Sequence, residues 1–150
     1  MTIAPITAFL YRLAIACWLG GAALFTFVLT PIIFTSYDRD LAGGIVGTLF
    51  PGYFHWGVAC GVMALVAAFA SATIKRRKTA AGLIAAMLVI SSLQAWVIEP
   101  QADALKKQIP SFVTTAKDDP HRQEFAKLHG ISAGLNLSVI GGGLVLLALL

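Results

Sequence analysis

Residues 13–37 read LAIACWLGGAALFTFVLTPIIFTSY, a run of 25 residues without one charged side chain. Three further uncharged runs follow, over residues 41–74, 79–98 and 128–150. Each run reaches the roughly 20 residues that a helix needs to cross a bilayer. The runs are apolar on every face and do not alternate as the strands of a membrane β-barrel do, so they predict helices. The sequence therefore predicts an all-α integral membrane protein, a bundle of four transmembrane helices.

The composition of the whole chain agrees with this prediction. Of its 150 residues, 58% are hydrophobic and 12% are charged, whereas about a quarter of the residues in a soluble domain are charged. So few charges cannot cover the surface of a soluble globule, which excludes a water-soluble enzyme. Four crossings use about 80 residues, so a single transmembrane domain over residues 1–150 is expected. No complete catalytic motif occurs, and an enzymatic function is not favoured.

The charges and prolines suggest where the helices begin and end. The expected spans are, approximately, residues 10–34, 51–74, 79–99 and 128–149. Because proline breaks or kinks a helix, Pro51 predicts a separate short helix over residues 41–49 at the membrane surface. Residues 100–127 form an outer polar segment, in which Asp119 and Pro120 have the pattern of a helix start. Helices three and four are therefore expected to extend beyond the outer membrane face.

Basic residues predict the orientation. Lys75, Arg76, Arg77 and Lys78 form a dense turn between helices two and three, and Arg12 lies on the same side. By the positive-inside rule this side is cytoplasmic, with both termini, and a bacterial inner membrane is the expected location. The basic turn predicts contact with anionic lipid. Basic and aromatic residues are not interleaved, so no nucleic-acid partner is expected.

Small residues at four-residue spacing predict close helix packing in lipid. Helix two carries one such pair, and helix four carries a longer stripe. The partner of these faces is either a helix of the same chain or a second subunit, so a homo-oligomer is one expectation. The residues are Gly57 and Gly61 on helix two, and Gly130, Gly134, Ser138 and Gly142 on helix four.

Polar side chains within the apolar helices are costly in hydrocarbon and usually face a cavity or a partner. The direction of each helix places four of them at the outer boundary and three deeper. Those at the boundary are Tyr53, His55, Glu99 and His129, and those below it are Gln94, Ser132 and Asn136. His129, Ser132 and Asn136 share one helical face, because they are three and seven residues apart. We therefore expect His55, Glu99 and His129 to share one cavity, with Asn136 below them.

This cluster leaves three functions open. The first is binding or transport of a cation, metal ion or small molecule, with His55, His129 and Glu99 as metal ligands or proton carriers. The second is a b-type haem electron carrier with His55 and His129 as axial ligands. The third is a structural or assembly subunit in which the cluster only forms hydrogen bonds. Cys17 and Cys60 are expected to be buried thiols, with a soft-metal pair as the alternative.

Three stretches carry a family resemblance: LFPGYFH at residues 49–55, WVIEP at 96–100 and HGIS at 129–132. Together they are similar to the family that includes human transmembrane protein 205, and the likeness spans the whole chain in order and spacing. The resemblance implies a four-helix integral membrane domain of unknown function. More distantly, the architecture is similar to bacterial copper-resistance membrane proteins and to a haem-binding membrane oxidoreductase.

Overall fold

The computed structural model describes residues 3–71, 74 and 76–149, and all regular structure in these residues is helical. Two π-helical turns interrupt the long helices, Phe25–Leu29 and Gln94–Ile98. The α-helices are α1 (Ile3–Leu24), α2 (Thr30–Ser36), α3 (Arg39–Ala70), α4 (Arg77–Leu93), α5 (Glu99–Lys106) and α6 (Pro120–Ala148).

Four long helices result, and each is long and apolar enough to cross a membrane. They are Pro5–Ser36, Arg39–Ala70, Arg77–Lys106 and Pro120–Ala148, of 32, 32, 30 and 29 residues. The predicted all-α class with four membrane helices is therefore confirmed, and the chain is an integral membrane protein. We call them the first to fourth long helices.

The four long helices form a closed bundle. The first packs against α3, α3 packs against α4, and α6 closes the ring by packing against α4 and α1. Consecutive helices are antiparallel, since core residues of segments 11–18, 60–68, 80–87 and 139–146 pack together at one level. The connections 37–38 and 107–119 lie at one end, which we call the loop side, and Ser71 and Arg76 lie at the other. Of the predicted basic turn, Lys75 lies outside the described residues, and Arg76, Arg77 and Lys78 are exposed.

The core occupies the half of the bundle away from the loop side. Its members come from residues 11–18, 60–68, 80–87 and 139–146, which lie at the same level in the four helices. Many of them are alanines, so the helix backbones approach closely there. The largest ring in this core belongs to Trp18, which is only 3% exposed.

The predicted separate helix over residues 41–49 is wrong. These residues belong to α3, which continues through Pro51 without a break. The reason is packing on both sides of the proline: Ala42 and Val46 before it and Phe54 after it are all buried on one helical face. A proline inside a helix costs about 3 kcal/mol, and burial of this continuous face offsets that cost.

Both π turns precede a proline at the same distance. Pro31 and Pro100 are each the second residue after a π turn. In each case the residue before the proline donates its backbone N–H to the carbonyl five positions earlier, instead of four. A proline ring clashes with the carbonyl four residues before it, and the wider turn relieves that clash. The extra residue in each π turn rotates the helix that follows it. This rotation determines which side chains of that helix face the interior of the bundle at the loop side.

The glycines predicted to pack against other helices divide into two groups. An added Cβ at Gly61 would lie 2.8 Å from the Trp18 ring and 2.9 Å from Leu88, and one at Gly57 would lie 3.0 Å from Trp18 Nε1. At Gly142 it would lie 2.8 Å from the Met87 sulfur. These glycines therefore make room for side chains of neighbouring helices.

The remainder of the predicted stripe on the fourth helix does not pack within the chain. Gly130 and Gly134 have no atom within 4 Å of an added Cβ, and both are exposed. Ser138 is also exposed, and its hydroxyl donates to the carbonyl of Gly134 at 3.0 Å. The predicted packing of these three residues within the chain is therefore wrong. The reason is that a different face of α6, the one that carries Val139, packs against the core.

Replacement of these glycines by leucine tests this division. Gly61→Leu should lower the free energy of unfolding by about 1–3 kcal/mol, because the new side chain overlaps Trp18 and Leu88. Gly134→Leu is the matched control and should change stability little, since it meets open space. Thermal unfolding in detergent measures both, and equal losses would show that Gly134 does not lie on an open face.

Candidate ligand-binding site

A cavity of about 250 Å³ lies at the loop side, between α2, α3, α5 and α6. Its wall is mainly apolar, and five phenylalanine rings contribute to it: Phe34, Phe50, Phe54, Phe112 and Phe125. A few polar side chains also line it: Thr30, Arg39, Glu99, Asp103, Lys106, His129 and Ser132. An apolar wall with few polar groups is the usual composition of a small-molecule site.

The helix period explains how these polar groups come to face one space. Glu99, Asp103 and Lys106 lie four and seven residues apart on α5, so they form one stripe along that helix. His129 and Ser132 are three residues apart on α6 and face α5 across the cavity. The α5 stripe begins directly after the second π turn, which sets its rotation.

Three of the charged side chains in this wall already have partners. Lys106 Nζ donates to the carbonyl oxygen of Gly43 at 2.5 Å. Gly47 makes this approach possible, because an added Cβ there would lie 2.7 Å from Lys106 Nζ. The carboxylate of Asp103 pairs with Lys107 at 2.6 Å. The guanidinium of Arg39 lies over the Phe112 ring, 5.8 Å from its centroid.

Glu99 and His129 are different. Within the part of the chain that the structure describes, the Glu99 carboxylate makes no ion pair within 4.0 Å and no side-chain hydrogen bond. The His129 ring stacks on Phe125 at 6.0 Å and likewise makes no side-chain hydrogen bond among these residues. One carboxylate and one imidazole in the wall are therefore available to meet a ligand.

Residues 107–119, which we call the cap segment, fold over the loop-side mouth of the cavity. Asp40 holds the segment, because its carboxylate accepts from Ser111 Oγ at 2.5 Å and from the Phe112 backbone N–H at 2.6 Å. Arg122 is buried, donates to the carbonyl of Thr115, and places its guanidinium 5.9 Å from the Phe112 centroid. The Phe112 ring is thereby fixed as part of the cavity wall.

A hydrogen-bonded layer lies directly below the cavity and links all four long helices. Asn136 accepts from the Tyr53 hydroxyl and donates to Thr26 Oγ1 at 2.8 Å. Gln94, which is 1% exposed, donates to the carbonyl of Ser132 at 3.0 Å and to its Oγ at 3.2 Å. Four predicted site residues, Tyr53, Gln94, Ser132 and Asn136, thus lie in this layer, and only Ser132 also lines the cavity.

Phe54 separates the cavity from a smaller space beside this layer. The second space, of about 10 Å³, is lined by Gln94, Asn136 and Trp18 among others, and Phe54 lines both spaces. A volume of that order holds about one water molecule. The buried Phe54 ring, stacked on Phe50 at 5.6 Å, therefore forms the floor of the cavity.

His55 does not join the cavity, contrary to prediction. It is exposed, its Nδ1–H donates to the carbonyl of Pro51 at 2.6 Å, and its ring meets the edge of Trp96 at 5.8 Å. The reason is helical rotation: successive residues point about 100° apart, and the neighbouring Phe54 turns inward. Glu99 and His129 therefore line the cavity without His55.

This placement of His55 corrects the two cofactor hypotheses. Among the described residues, no three His, Cys, Asp or Glu side chains lie together in a way that could hold a metal ion, so His55, Glu99 and His129 do not form the predicted metal site. His55 and His129 do not face each other across the cavity, as two axial haem ligands must. Cys17 and Cys60 are free thiols, and Cys60 is buried.

Sequence reasoning missed the phenylalanine wall and the cap segment. The bond between Asp40 and Phe112 joins residues 72 positions apart, and no local pattern indicates it. One local signal was available for Lys106: Gly43 and Gly47 are four residues apart and open one face of α3. A glycine face of this kind predicts that a side chain of another helix approaches closely.

Comparison with known proteins gives a family and no function. A family model described as a domain of unknown function, DUF4149, matches residues 13–111. The chain belongs to this family. It is also similar to an uncharacterized protein of Aquifex aeolicus (strain VF5), with 26% identity over 123 residues, 82% of this chain and 80% of the relative. No solved structure matches the chain. The resemblances to human transmembrane protein 205 and to copper-resistance and haem-binding proteins stay predictions.

The role assigned to Asp40 can be tested in the purified DUF4149 protein. Asp40→Ala removes both acceptors of the cap segment, so backbone amides of residues 111–115 should exchange with deuterium at least about tenfold faster, as expected for the loss of charge-assisted hydrogen bonds. Asp118→Ala, an exposed change within the cap segment, is the control. Unchanged exchange in Asp40→Ala would mean that other contacts hold the segment.

Proposed function

We propose that this protein binds a small molecule in the loop-side cavity, and that the molecule has an apolar body and one polar end. The observation that carries the proposal is the cavity itself: five phenylalanine rings contribute to its mainly apolar wall, and the Glu99 and His129 side chains make no hydrogen bond or ion pair among the described residues. Typical ligand pockets measure about 300–1,000 Å³. A cavity of about 250 Å³ therefore suits a ligand at the small end of that range.

Two observations favour this function over a purely structural role. Hydrogen bonding between the helices is already provided by the layer of Tyr53, Asn136 and Gln94 below the cavity. An assembly role would not require a further carboxylate in an apolar cavity, where an unpaired charge is costly.

If the protein transports its ligand, the ligand has to pass the floor of the cavity at Phe54. The Phe54 ring would then have to move.

We further propose a bacterial inner membrane location with both termini cytoplasmic, because of the basic turn at residues 75–78. The cavity and the cap segment then face the outer side, and the cavity receives its ligand from there. The long helices of 29 and 30 residues would extend about 43–45 Å at 1.5 Å per residue, beyond a hydrocarbon core of about 30 Å. The basic turn would contact anionic lipid on the cytoplasmic face.

A neighbouring pair of glycines provides the test of binding. Gly43 lines the cavity, an added Cβ there meets open space, and Gly43→Leu should therefore fill the cavity without a clash. The probe is N-phenyl-1-naphthylamine, an uncharged fluorescent molecule, titrated into protein in maltoside detergent. We expect saturable fluorescence enhancement that Gly43→Leu weakens at least about tenfold, the cost expected when a side chain occupies a packed site.

Gly44→Leu is the matched control for this experiment. Gly44 also has open space around an added Cβ, but it does not line the cavity. Its variant should bind the probe as the unaltered protein does. If both variants or neither of them weaken binding, the probe does not occupy the cavity, and the proposed function is wrong.

Cysteine labelling in intact cells tests the orientation. In a background with Cys17 and Cys60 replaced by alanine, we expect an impermeant maleimide to label a cysteine at Ser111 and to spare one at Arg77. Arg77 is exposed and Ser111 is partly exposed, so access to solvent alone would favour labelling at Arg77, the opposite of the expected result. The opposite labelling pattern would place the cavity on the cytoplasmic side.

A further inference from the structure

We propose that the ligand of this cavity is an organic cation, an amine or quaternary ammonium with an apolar body, whose charged nitrogen lies against the Glu99 carboxylate. The inference rests on the proposed function of the cavity and adds the chemical class of the ligand. Two features carry it: the partners of the charged groups in the wall, and the aromatic rings around them.

Among the described residues, Glu99 is the charged side chain of the wall that makes no ion pair within 4.0 Å, no hydrogen bond and no ring contact. Asp103 is neutralised by Lys107 at 2.6 Å. Lys106 holds the carbonyl of Gly43 at 2.5 Å. Arg39 lies over Phe112 at 5.8 Å. Among the described residues the Glu99 carboxylate has no such direct contact, although Lys107 and His55 lie within electrostatic range of it. A cationic ligand would give this carboxylate a direct partner.

The wall also matches a cation that carries apolar groups. Phenylalanine faces attract cations within about 6 Å of the ring centroid, and the attraction is larger where water is excluded. Phe50 and Phe54 are stacked 5.6 Å apart with 7° between their planes. Phe125 of α6 lies 5.0 Å from Phe112, a ring that Arg39 and Arg122 already approach within 6 Å. A carboxylate among aromatic rings is a combination that recognises ammonium groups.

Other ligand classes suit these groups less well. A bare metal ion needs three or more donors, and Glu99 and His129 supply two. An anion would bind best to Lys106 or Arg39, but Lys106 is engaged with Gly43, and Arg39 lies over Phe112 within electrostatic range of Asp40. Glu99, seven residues before Lys106 on the same helical face, would also repel the anion. An uncharged molecule would leave the Glu99 carboxylate unpaired in an apolar wall.

Three probes of similar shape and different charge test the inference. Benzyltrimethylammonium is the cation, neopentylbenzene its uncharged analogue, and phenylmethanesulfonate the anion. Each displaces N-phenyl-1-naphthylamine from protein in maltoside detergent, and the half-maximal concentrations are compared. We expect the cation to displace the dye at a concentration at least about tenfold lower than the uncharged analogue, with the anion weakest, as a charge-assisted contact predicts.

Removal of the Glu99 charge tests whether this residue causes the preference for the cationic probe. Glu99→Gln should bring the cation-to-neutral ratio close to one, whereas Glu124→Gln, an exposed change on α6 outside the cavity, should keep it. If Glu99→Gln does not fold, the comparison of the three probes on the unaltered protein still tests whether the site prefers a cation.

The outcomes separate this inference from the proposed function. If the dye binds in a way that Gly43→Leu abolishes, but the cation displaces it no better than the uncharged analogue, the cation class is wrong and the small-molecule site stands. If the preference for the cation persists in Glu99→Gln, the nitrogen lies elsewhere and the inference is wrong. If no probe displaces the dye and the dye itself does not bind, both proposals are wrong.

Discussion

The structure depends on one constraint: a polar group within a membrane helix needs a partner inside the protein, because hydrocarbon offers none. The layer of Thr26, Tyr53, Gln94, Ser132 and Asn136 satisfies this constraint with contributions from all four long helices. It also fixes the rotation of each helix at that level. Below it the alanine-rich core brings the helices together, and above it they enclose a cavity.

The cavity follows from how the segments above this layer are held. The second π turn, which accommodates Pro100, rotates α5 so that Glu99, Asp103 and Lys106 face inward. Asp40 fixes the cap segment across the mouth. Each charge in the wall finds a partner within the protein except Glu99, among the residues that the structure describes. The binding chemistry proposed for the site depends on that exception.

The sequence predicts the helices well, because charge-free runs of sufficient length identify membrane spans directly. It also predicts that Gln94 and Asn136 lie at a similar depth, since depth follows from helix direction. Rotation about the helix axis is harder, because lipid-facing and core-facing sides are both apolar and hydropathy does not distinguish them. His55 was therefore expected to face inward, where its neighbour Phe54 lies.

Two further features were not predicted correctly, because they depend on contacts between residues that are distant in the sequence. The predicted break at Pro51 is absent, because burial of Ala42, Val46 and Phe54 holds α3 together across the proline. The cap segment was expected only as a polar stretch, since its attachment to Asp40 joins distant parts of the chain. Such contacts form only when the helices assemble, so they cannot be predicted from the periodicity of one helix.

The most direct measurement of the central claim is a crystal structure of the protein grown with 4-bromobenzyltrimethylammonium, with bromine located by its anomalous scattering. The account predicts one bromine peak inside the cavity, among Phe50, Phe54 and Phe112, with the ammonium group against Glu99. A bromine peak only on the lipid-facing surface, with the cavity empty at saturating ligand, would contradict it.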